Sequence, residues 1–185
     1  LLSSLLQAAG TGQPAAREPL PAVSIRQFGA AGDGVTDDTS AIVAAVSTVC
    51  RAGGGTIFIP SGTFIIDPAA ASIPLCSNLF VHGTGTLKVK PDTGNYRAIF
   101  AAFPPATAVN NVTFTGITVD QNAYNNTTAT IDAGDDRTHQ RIWQIFAGTN
   151  LHFERMRLYV SGVNPVDVNG PAVSGVYVDR NFFEF

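Results

Sequence analysis

The chain has 185 residues, of which 45% are hydrophobic and only 14% charged, and its formal net charge is −3. That length suffices for one domain with a sizeable core. The acidic balance argues against nucleic acid as a partner, and no apolar run is long enough to cross a membrane as a helix. The 18 glycines and 11 prolines favour many short strands joined by turns.

The first 22 residues differ in character from the rest of the chain. Residues 1–6 favour a short helix, and residues 13–21 hold three prolines, which is typical of an extended connector. We therefore expect residues 1–22 to form a joint and residues 23–185 to form one folded unit. Because the chain lacks an initiator methionine and stops within a strand-like run, we expect it to be a piece of a longer protein.

The folded unit opens with a strand, a turn and the start of a helix. Alternating apolar residues predict a first strand over Val23–Phe28. Ala30–Gly34 has the small residues and glycines of a tight turn. Thr36, Asp37 and Asp38 follow, and their side-chain oxygens can cap the first free N–H groups of a helix.

A short amphipathic helix is predicted over Asp37–Cys50. Ile42, Val46 and Val49 recur at helical spacing, so one narrow stripe of this helix is apolar. Glycines 53–55 are expected to end it, because glycine accepts the left-handed conformation found after many helices.

Similar apolar segments then recur along the chain. Strands are predicted at 56–60 and 63–66. After them, four similar segments begin at residues 78, 111, 150 and 175, and in each the first residue is followed by two apolar residues with one residue of any type between them. Stacking these segments in parallel would bury the single apolar face that each one has. Three begin with asparagine, which tolerates left-handed turns and can align its amides along a stack. A β-sandwich is the structural rival, but hairpin signals are nearly absent.

The run FGAAGDGVTDDTSAI at 28–42, followed by AGGGTIFIPSGTFII at 52–66, closely resembles the opening of the pectate-lyase-like superfamily. This superfamily includes bacteriophage tailspikes, polygalacturonase-type hydrolases and alginate-epimerase-type enzymes. The resemblance implies an all-β fold, a right-handed parallel β-helix whose first coil is covered by an N-terminal capping α-helix. It is tight over residues 23–90 and looser beyond.

The two cysteines, Cys50 and Cys76, leave two alternatives open. We expect two buried free thiols, one at the end of the helix and one near the start of a strand. The alternative is a disulfide that ties the capping helix to the first coil and indicates an oxidising compartment. Plant-type polygalacturonases, which the chain resembles, carry cysteines at similar places.

The resemblance implies that catalytic carboxylates lie on the outer face of one sheet, and glycoside hydrolysis needs two of them. Our candidates are Asp120 at the end of a strand, Asp136 in an acidic loop, and Asp167. For Asp120 and Asp136 the alternatives are a turn-capping residue and a solvated loop acid. The tyrosine and histidine that alginate-epimerase-like proteins carry near 161–167 are missing, which argues against epimerase chemistry in this segment.

Candidate substrate-binding residues are Trp143, Tyr159 and His139. The two aromatic rings could stack on sugars, and the alternative is packing in the core or between subunits. The clustered carboxylates of Asp132, Asp135 and Asp136 suit Ca²⁺, but their spacing matches no dedicated binding loop. We therefore predict no cofactor and no dedicated metal site, with Ca²⁺ binding by this cluster as the alternative.

The joint before the β-helix opening resembles that of many phage tailspikes. The resemblance implies a homotrimer in a virion tail that binds and cleaves a bacterial surface polysaccharide, with a catalytic pair mostly downstream of Phe185 or between subunits. One alternative is a secreted, monomeric hydrolase or lyase of the polygalacturonase or pectate-lyase type. Another is a β-helix that serves only as a structural shaft.

Overall fold

A computed structural model describes residues 19–102, 107–127, 129–130, 140–160 and 165–184. The strands in this part of the chain are β1 (Ala22–Ser24), β2 (Asp33–Asp37), β3 (Gly55–Ile59), β4 (Thr63–Ile66), β5 (Ile73–Pro74), β6 (Leu79–Gly83), β7 (Thr86–Val89), β8 (Ala98–Ala101), β9 (Val109–Thr115), β10 (Thr118–Asp120), β11 (Arg141–Glu154), β12 (Arg157–Tyr159), β13 (Val166–Asp179) and β14 (Phe182–Glu184). The helix α1 spans Thr39–Arg51, and short 3₁₀ turns lie at Ile25–Phe28 and Ala123–Asn125. No helix among the described residues is long and apolar enough to cross a membrane.

All strand pairings in the described part of the chain are parallel. Sheet A contains β1, β3, β6, β9 and β11 in that order, and then β8 and β5; β13 also pairs with β11. Sheet B has the order β14, β12, β10, β7, β4, β2. Because the first part of β11 pairs with β8 and its second part with β9, sheet A forms two walls of the coil. The predicted parallel β-helix is confirmed.

The core consists of inward-facing side chains stacked in register from coil to coil. On sheet A, one such row runs through Ile57, Val81, Phe114 and Phe153, which are 0–1% exposed. Sheet B contributes a second row of equally buried side chains, namely Phe64, Leu87, Val119 and Leu158. Successive residues of a strand point to opposite faces, so the residues between these positions point outward.

Helix α1 covers the first coil, as predicted. It lies against β1, β3 and β5, and its buried residues include Ile42, Val46 and Val49.

The two acids at the start of the helix, Asp37 and Asp38, have different hydrogen-bond partners. The carboxylate of Asp37 accepts a hydrogen bond from the Thr39 N–H at 3.0 Å. The carboxylate of Asp38 instead accepts the N–H groups of Ala31 and Gly32. It therefore ties the preceding turn to the start of the helix.

Only the start of the first predicted strand is correct. Strand β1 ends at Ser24, and Ile25–Phe28 form a 3₁₀ turn. The Ser24 side chain accepts the N–H of Arg26, and Gln27 Oε1 accepts the N–H of Ser24 at 2.9 Å. Such local side-chain bonds offer the backbone an alternative to strand pairing. The turn predicted at 30–34 also runs into β2, which pairs with β4.

Asparagines at one bend of the coil form the predicted ladder. Asn78, Asn111 and Asn150 all have left-handed backbone conformations, with φ between 57° and 59°. The Asn111 side-chain amide donates to Asn78 Oδ1 at 2.9 Å, and that of Asn150 donates to Asn111 Oδ1 at 3.0 Å. In the next coil Gly175 has the same conformation, with φ of 62°, but no amide to extend the ladder.

Cys50 and Cys76 form a disulfide, so the expectation of two free thiols is wrong. The bond links the last turn of α1 to the segment just before β6, with the two Cα atoms 5.6 Å apart. The sequence predicted that Cys50 lies at the end of a helix and Cys76 near the start of a strand. It did not predict that these two elements lie side by side. The helix is therefore joined to the β-helix covalently as well as by its apolar stripe.

Replacing Cys50 and Cys76 by alanine should lower the free energy of unfolding by about 3 kcal/mol, because the bond closes a loop in the unfolded chain. Guanidinium unfolding followed by circular dichroism measures this change. A reducing agent should destabilise the wild type by a similar amount and leave the double variant unchanged. A wild-type unfolding midpoint that does not respond to reduction would contradict the role of the bond.

The Asn111→Ala variant should lose about 2 kcal/mol of stability, since it removes two ladder bonds and forces alanine into a left-handed conformation. The matched Asn111→Gly variant removes the same bonds without backbone strain, so its loss should be about 1 kcal/mol smaller. Thermal or chemical unfolding of both variants tests the ladder. Equal losses would show that the left-handed conformation contributes nothing.

Candidate active site

The outer face of sheet B carries polar side chains in a register row that crosses four coils. Lys88, Asp120, Tyr159 and Glu184 are neighbours in this row, one each from β7, β10, β12 and β14. Adjacent members of such a row have backbones about 4.8 Å apart. These positions point outward because their strand neighbours, such as Val119, are buried in the core.

A cavity of about 220 Å³ opens beside this row. Its lining includes Lys88, Asp120, Asn122, Tyr124, Tyr159 and Glu184. Two carboxylates, an ammonium group and two phenols therefore border one hollow on the surface. These groups can accept, donate or transfer protons, and the tyrosine rings offer flat apolar faces.

The charged groups of the cavity are arranged in pairs. Lys88 Nζ lies 3.1 Å from Asp120 Oδ2, with both side chains half-buried. Asp120 Oδ1 accepts the N–H of Asn122 at 2.7 Å. Asp120 therefore also caps the turn that follows its strand, the role that the sequence offered as an alternative to catalysis. The exposed Arg157 lies two residues before Tyr159 on β12, and its Nη1 lies 3.5 Å from the Tyr159 hydroxyl. Lys88 thus lines the cavity, and Arg157 lies beside the hydroxyl of Tyr159, which also lines it.

Stacked loops form one side of the cavity. We call residues 90–95 and 122–127 the loop wall. Asn122 donates its side-chain amide to the Val89 carbonyl at 2.9 Å, and Asn126 exchanges hydrogen bonds with both backbone groups of Gly94. Asp92 accepts the hydroxyl of Thr127 at 2.8 Å. These bonds fix the outer loop to the one below it and hold the Asn122 side of the cavity in place.

Buried polar groups support the loop wall from inside. Gln121 donates its side-chain amide to the Tyr96 hydroxyl at 3.0 Å and to the Gln140 carbonyl. Burial raises the pKa of Tyr96 far above its usual value, so its phenol stays protonated. Tyr96 is therefore a structural hydrogen-bonding group here and not an acid or base.

An ion pair anchors the base of the loop wall. Asp67 accepts hydrogen bonds from Lys90 and, at 2.8 Å, from the Thr93 hydroxyl. Burial acts to raise the pKa of Asp67, but the bonds from Lys90, Thr93 and the Ala70 N–H outweigh it, and the pKa is lowered overall. The pKa of Lys90 is raised, chiefly by the hydrogen bond to Asp67. Both directions indicate that the pair is charged at neutral pH.

Of the residues singled out from the sequence, the structure brings Asp120 and Tyr159 together in the cavity. The prediction that Trp143 stacks on a sugar is wrong, because its side chain is fully buried in the core. Its ring lies 5.4 Å from that of Phe114 and 4.9 Å from that of Phe153, centroid to centroid. The alternative of core packing is the correct one.

Asp167 lies elsewhere in the fold. It is on the first part of β13, where it forms an ion pair with Arg141, and both side chains are almost fully buried. A carboxylate enclosed with its guanidinium partner is not placed to touch a polysaccharide on the surface. Asp136, His139 and the acidic loop proposed for Ca²⁺ lie outside the described residues. The described part contains no group of three His, Cys, Asp or Glu side chains that could hold a metal ion.

Lys88, Arg157 and Glu184 were missed in the sequence. All three lie in short strands of sheet B that follow a bend, at outward positions of TLKV, RLY and FFE. Aligning those strands on their buried residue would have placed Lys88, Tyr159 and Glu184 in one column with Asp120. The signal lies in the outward positions of these strands, whereas the sequence prediction rests on their apolar positions alone.

The comparisons with known proteins agree with this fold. The sequence model of a family described as "Rhamnogalacturonase A/epimerase, pectate lyase-like" matches residues 22–74. Mannuronan C5-epimerase AlgE5 of Azotobacter vinelandii is 39% identical over 66 residues, which are 34% of this chain and 7% of the epimerase. The chain thus matches only a small part of that relative's length.

Solved structures extend the likeness beyond the opening. Pre-mature gene product 12 of bacteriophage phi29 superposes with a TM-score of 0.61 and 25% identity, over 74% of this chain and 17% of that one. PfbA, a surface adhesin of Streptococcus pneumoniae, gives a TM-score of 0.63 at 19% identity, over 88% of this chain and 39% of that one. The resemblance to the pectate-lyase-like superfamily is confirmed for the opening segment and for the fold.

The Asp67–Lys90 pair should make stability depend on pH. Because the folded-state pKa of Asp67 lies below its usual 3.8, the carboxylate contributes stability above that pH and loses it as the pH falls through the folded value. The difference in unfolding free energy between the wild type and Asp67→Asn should be largest above about pH 5 and shrink on acidification. Urea unfolding at several pH values measures it, with the exposed Asp179→Asn as a control. A difference that stays constant between neutral and strongly acidic pH would contradict the assignment.

Proposed function

We propose that this chain is the front part of a tailspike-type receptor-binding protein that binds and cleaves a bacterial surface polysaccharide. The observation that carries the proposal is the cavity on sheet B, where Asp120, Tyr159 and Glu184 line up across three successive coils. A straight face built from stacked coils suits a long sugar chain. The likeness to a phage gene product and to an enzyme named for mannuronan supports this choice of ligand and setting.

The proposed reaction is glycoside hydrolysis by two carboxylates. The backbones of Asp120 and Glu184 are two strand spacings apart, about 9 to 10 Å, and their side chains border the same cavity. Inverting enzymes hold their carboxyl groups about 6.5–9.5 Å apart, with room for a water molecule between. Lys88 balances the charge of Asp120, which suits the base that activates water. Glu184 has no ion-pair partner among the described residues and would protonate the leaving oxygen.

The aromatic and basic side chains have a supporting role in this proposal. The ring of Tyr159 lies between the two carboxylate positions of the row and would pack against the face of a sugar ring. Lys88, which lies beside Asp120, and Arg157, which lies beside Tyr159, would neutralise an acidic sugar. Many bacterial surface polysaccharides carry acidic sugars, so a cationic rim fits this class of substrate.

A homotrimer in a virion tail completes the proposal. The disulfide between Cys50 and Cys76 supports a location in an oxidising environment, outside the bacterial cytosol. Solution mass tests the assembly, because a stable trimer of the full-length protein favours a tailspike and a monomer contradicts it.

A secreted polysaccharide lyase or hydrolase is the second candidate. The disulfide and the partial identity to a mannuronan epimerase favour it, and so does the cation Arg157 beside Tyr159. A lyase cleaves by elimination and leaves an unsaturated sugar that absorbs ultraviolet light. Hydrolysis leaves a reducing end without that absorbance, so the product separates the two reactions.

The catalytic test uses purified capsular and exopolysaccharides and measures new reducing ends. Asp120→Asn and Glu184→Gln should each lower kcat by about 10²–10⁴-fold, the usual contribution of a general acid or base. Asp179→Asn is the matched control, because this exposed acid lies on sheet A beside Arg180 and should leave the rate unchanged. Full activity in both site variants, or no new ends with any substrate, would refute the cleavage proposal and favour a passive shaft.

A further inference from the structure

The outer face of sheet A carries exposed aromatic rings that the proposed active site does not use. Phe58 on β3 is 39% exposed, Phe80 on β6 is 40% exposed, and Tyr177 on β13 is 54% exposed. Soluble proteins rarely expose a cluster of large apolar side chains without a functional reason. The face lies on a different sheet from Asp120 and Tyr159, so it is separate from the cavity.

The rings of Phe58 and Phe80 form one continuous surface together with a third ring, that of His82. His82 lies next to Phe58 in register, with ring centroids 5.2 Å apart. It also stacks on Phe80, at 4.9 Å and with the ring planes only 11° apart. Two neighbouring coils therefore present a cluster of three aromatic rings, in which the plane of Phe58 is tilted by 39° from that of His82; we call it the ring platform (Phe58, Phe80 and His82).

Hydroxyl groups follow the ring platform along the axis of the β-helix. Thr113 is the register neighbour of Phe80, and Thr115 is that of His82. One coil further, His152 pairs with Thr113 and stacks on Tyr177 at 4.5 Å, with the planes 16° apart. The order along the axis is three rings, two hydroxyls, and then His152 and Tyr177, which have the acids Glu154 and Asp179 as neighbours in the adjoining row. Phe80 and Tyr177 are three strand spacings apart, about 14 Å.

The chemistry of the part of this face from β3 to β9 fits a neutral sugar chain. Aromatic faces pack on the C–H surfaces of sugar rings, and threonine hydroxyls exchange hydrogen bonds with sugar hydroxyls. The outward positions from β3 to β9 in these two rows are Thr56, Phe58, Phe80, His82, Thr113 and Thr115, with neither a charged nor an aliphatic side chain among them. An acidic sugar or a nucleic acid would require cations there, and a subunit contact would be expected to include aliphatic side chains.

We propose that the outer face of sheet A is a second glycan-binding surface, which holds neutral segments of a polysaccharide on the ring platform. The proposal rests on the proposed function only in taking a polysaccharide as the ligand. Binding here would keep a long chain attached to the β-helix while the cavity on sheet B acts on another part of it. The two faces would then differ in ligand chemistry, with cations at the cavity and uncharged rings at the platform.

Affinity electrophoresis with dextran, laminarin or hydroxyethyl cellulose in the gel tests binding, with each polymer as a separate probe. The wild type should be retarded by at least one of these neutral polymers. Phe58→Leu/Phe80→Leu keeps apolar bulk but removes the flat rings, so its apparent affinity should fall about tenfold or more. Phe58→Tyr/Phe80→Tyr keeps the rings and should bind like the wild type.

Two further measurements separate this proposal from its rivals. Asp120→Asn, expected to lose cleavage, should still be retarded, so a failure of catalysis and a failure of the platform are distinguishable. The solution mass of the leucine variant should equal that of the wild type, and its circular dichroism should confirm folding. Absence of retardation by all three polymers, unchanged binding by the leucine variant, or a change in its solution mass would overturn the proposal. The last result would identify the face as a subunit contact.

Discussion

The whole structure depends on parallel strands that stack in register while their side chains alternate between two faces. The row through Ile57, Val81, Phe114 and Phe153 fills the core because each coil repeats the inward position of the coil before it. The same register necessarily aligns the outward positions. Rows of exposed side chains are therefore a consequence of core packing, and both surfaces to which we assign function are such rows.

A stack of this kind is vulnerable at its end, where strand edges and core side chains would meet water. Helix α1 removes that exposure with its apolar stripe, and the Cys50–Cys76 bond holds the helix to the coil. Asp38 adds a third connection, because its carboxylate ties the glycine-rich turn to the helix start. The closed end thus combines apolar burial, a covalent bond and charge-assisted hydrogen bonds.

Each success and failure of the sequence reasoning has a physical cause. The helix stripe and the asparagine bends were predicted because their signals are local, a helical spacing in one case and a left-handed conformation in the other. Trp143 was misplaced because five successive residues around it, Arg141–Ile145, are buried. A strand that is buried on both faces does not alternate between apolar and polar residues. Its sequence therefore does not show which side chains point into the core.

The sequence by itself determined the amphipathic helix and the repeated apolar segments, because these depend on residues close together in the chain. Its resemblance to the pectate-lyase-like superfamily supplied the class of fold and the capping role of the helix. Only the tertiary structure decided which polar residues meet. Lys88, Asp120, Tyr159 and Glu184 lie 25 to 39 residues apart in sequence, and loops of unequal length separate them. Their alignment follows from the register of β7, β10, β12 and β14, which is set by packing across the core and is not written in any one segment.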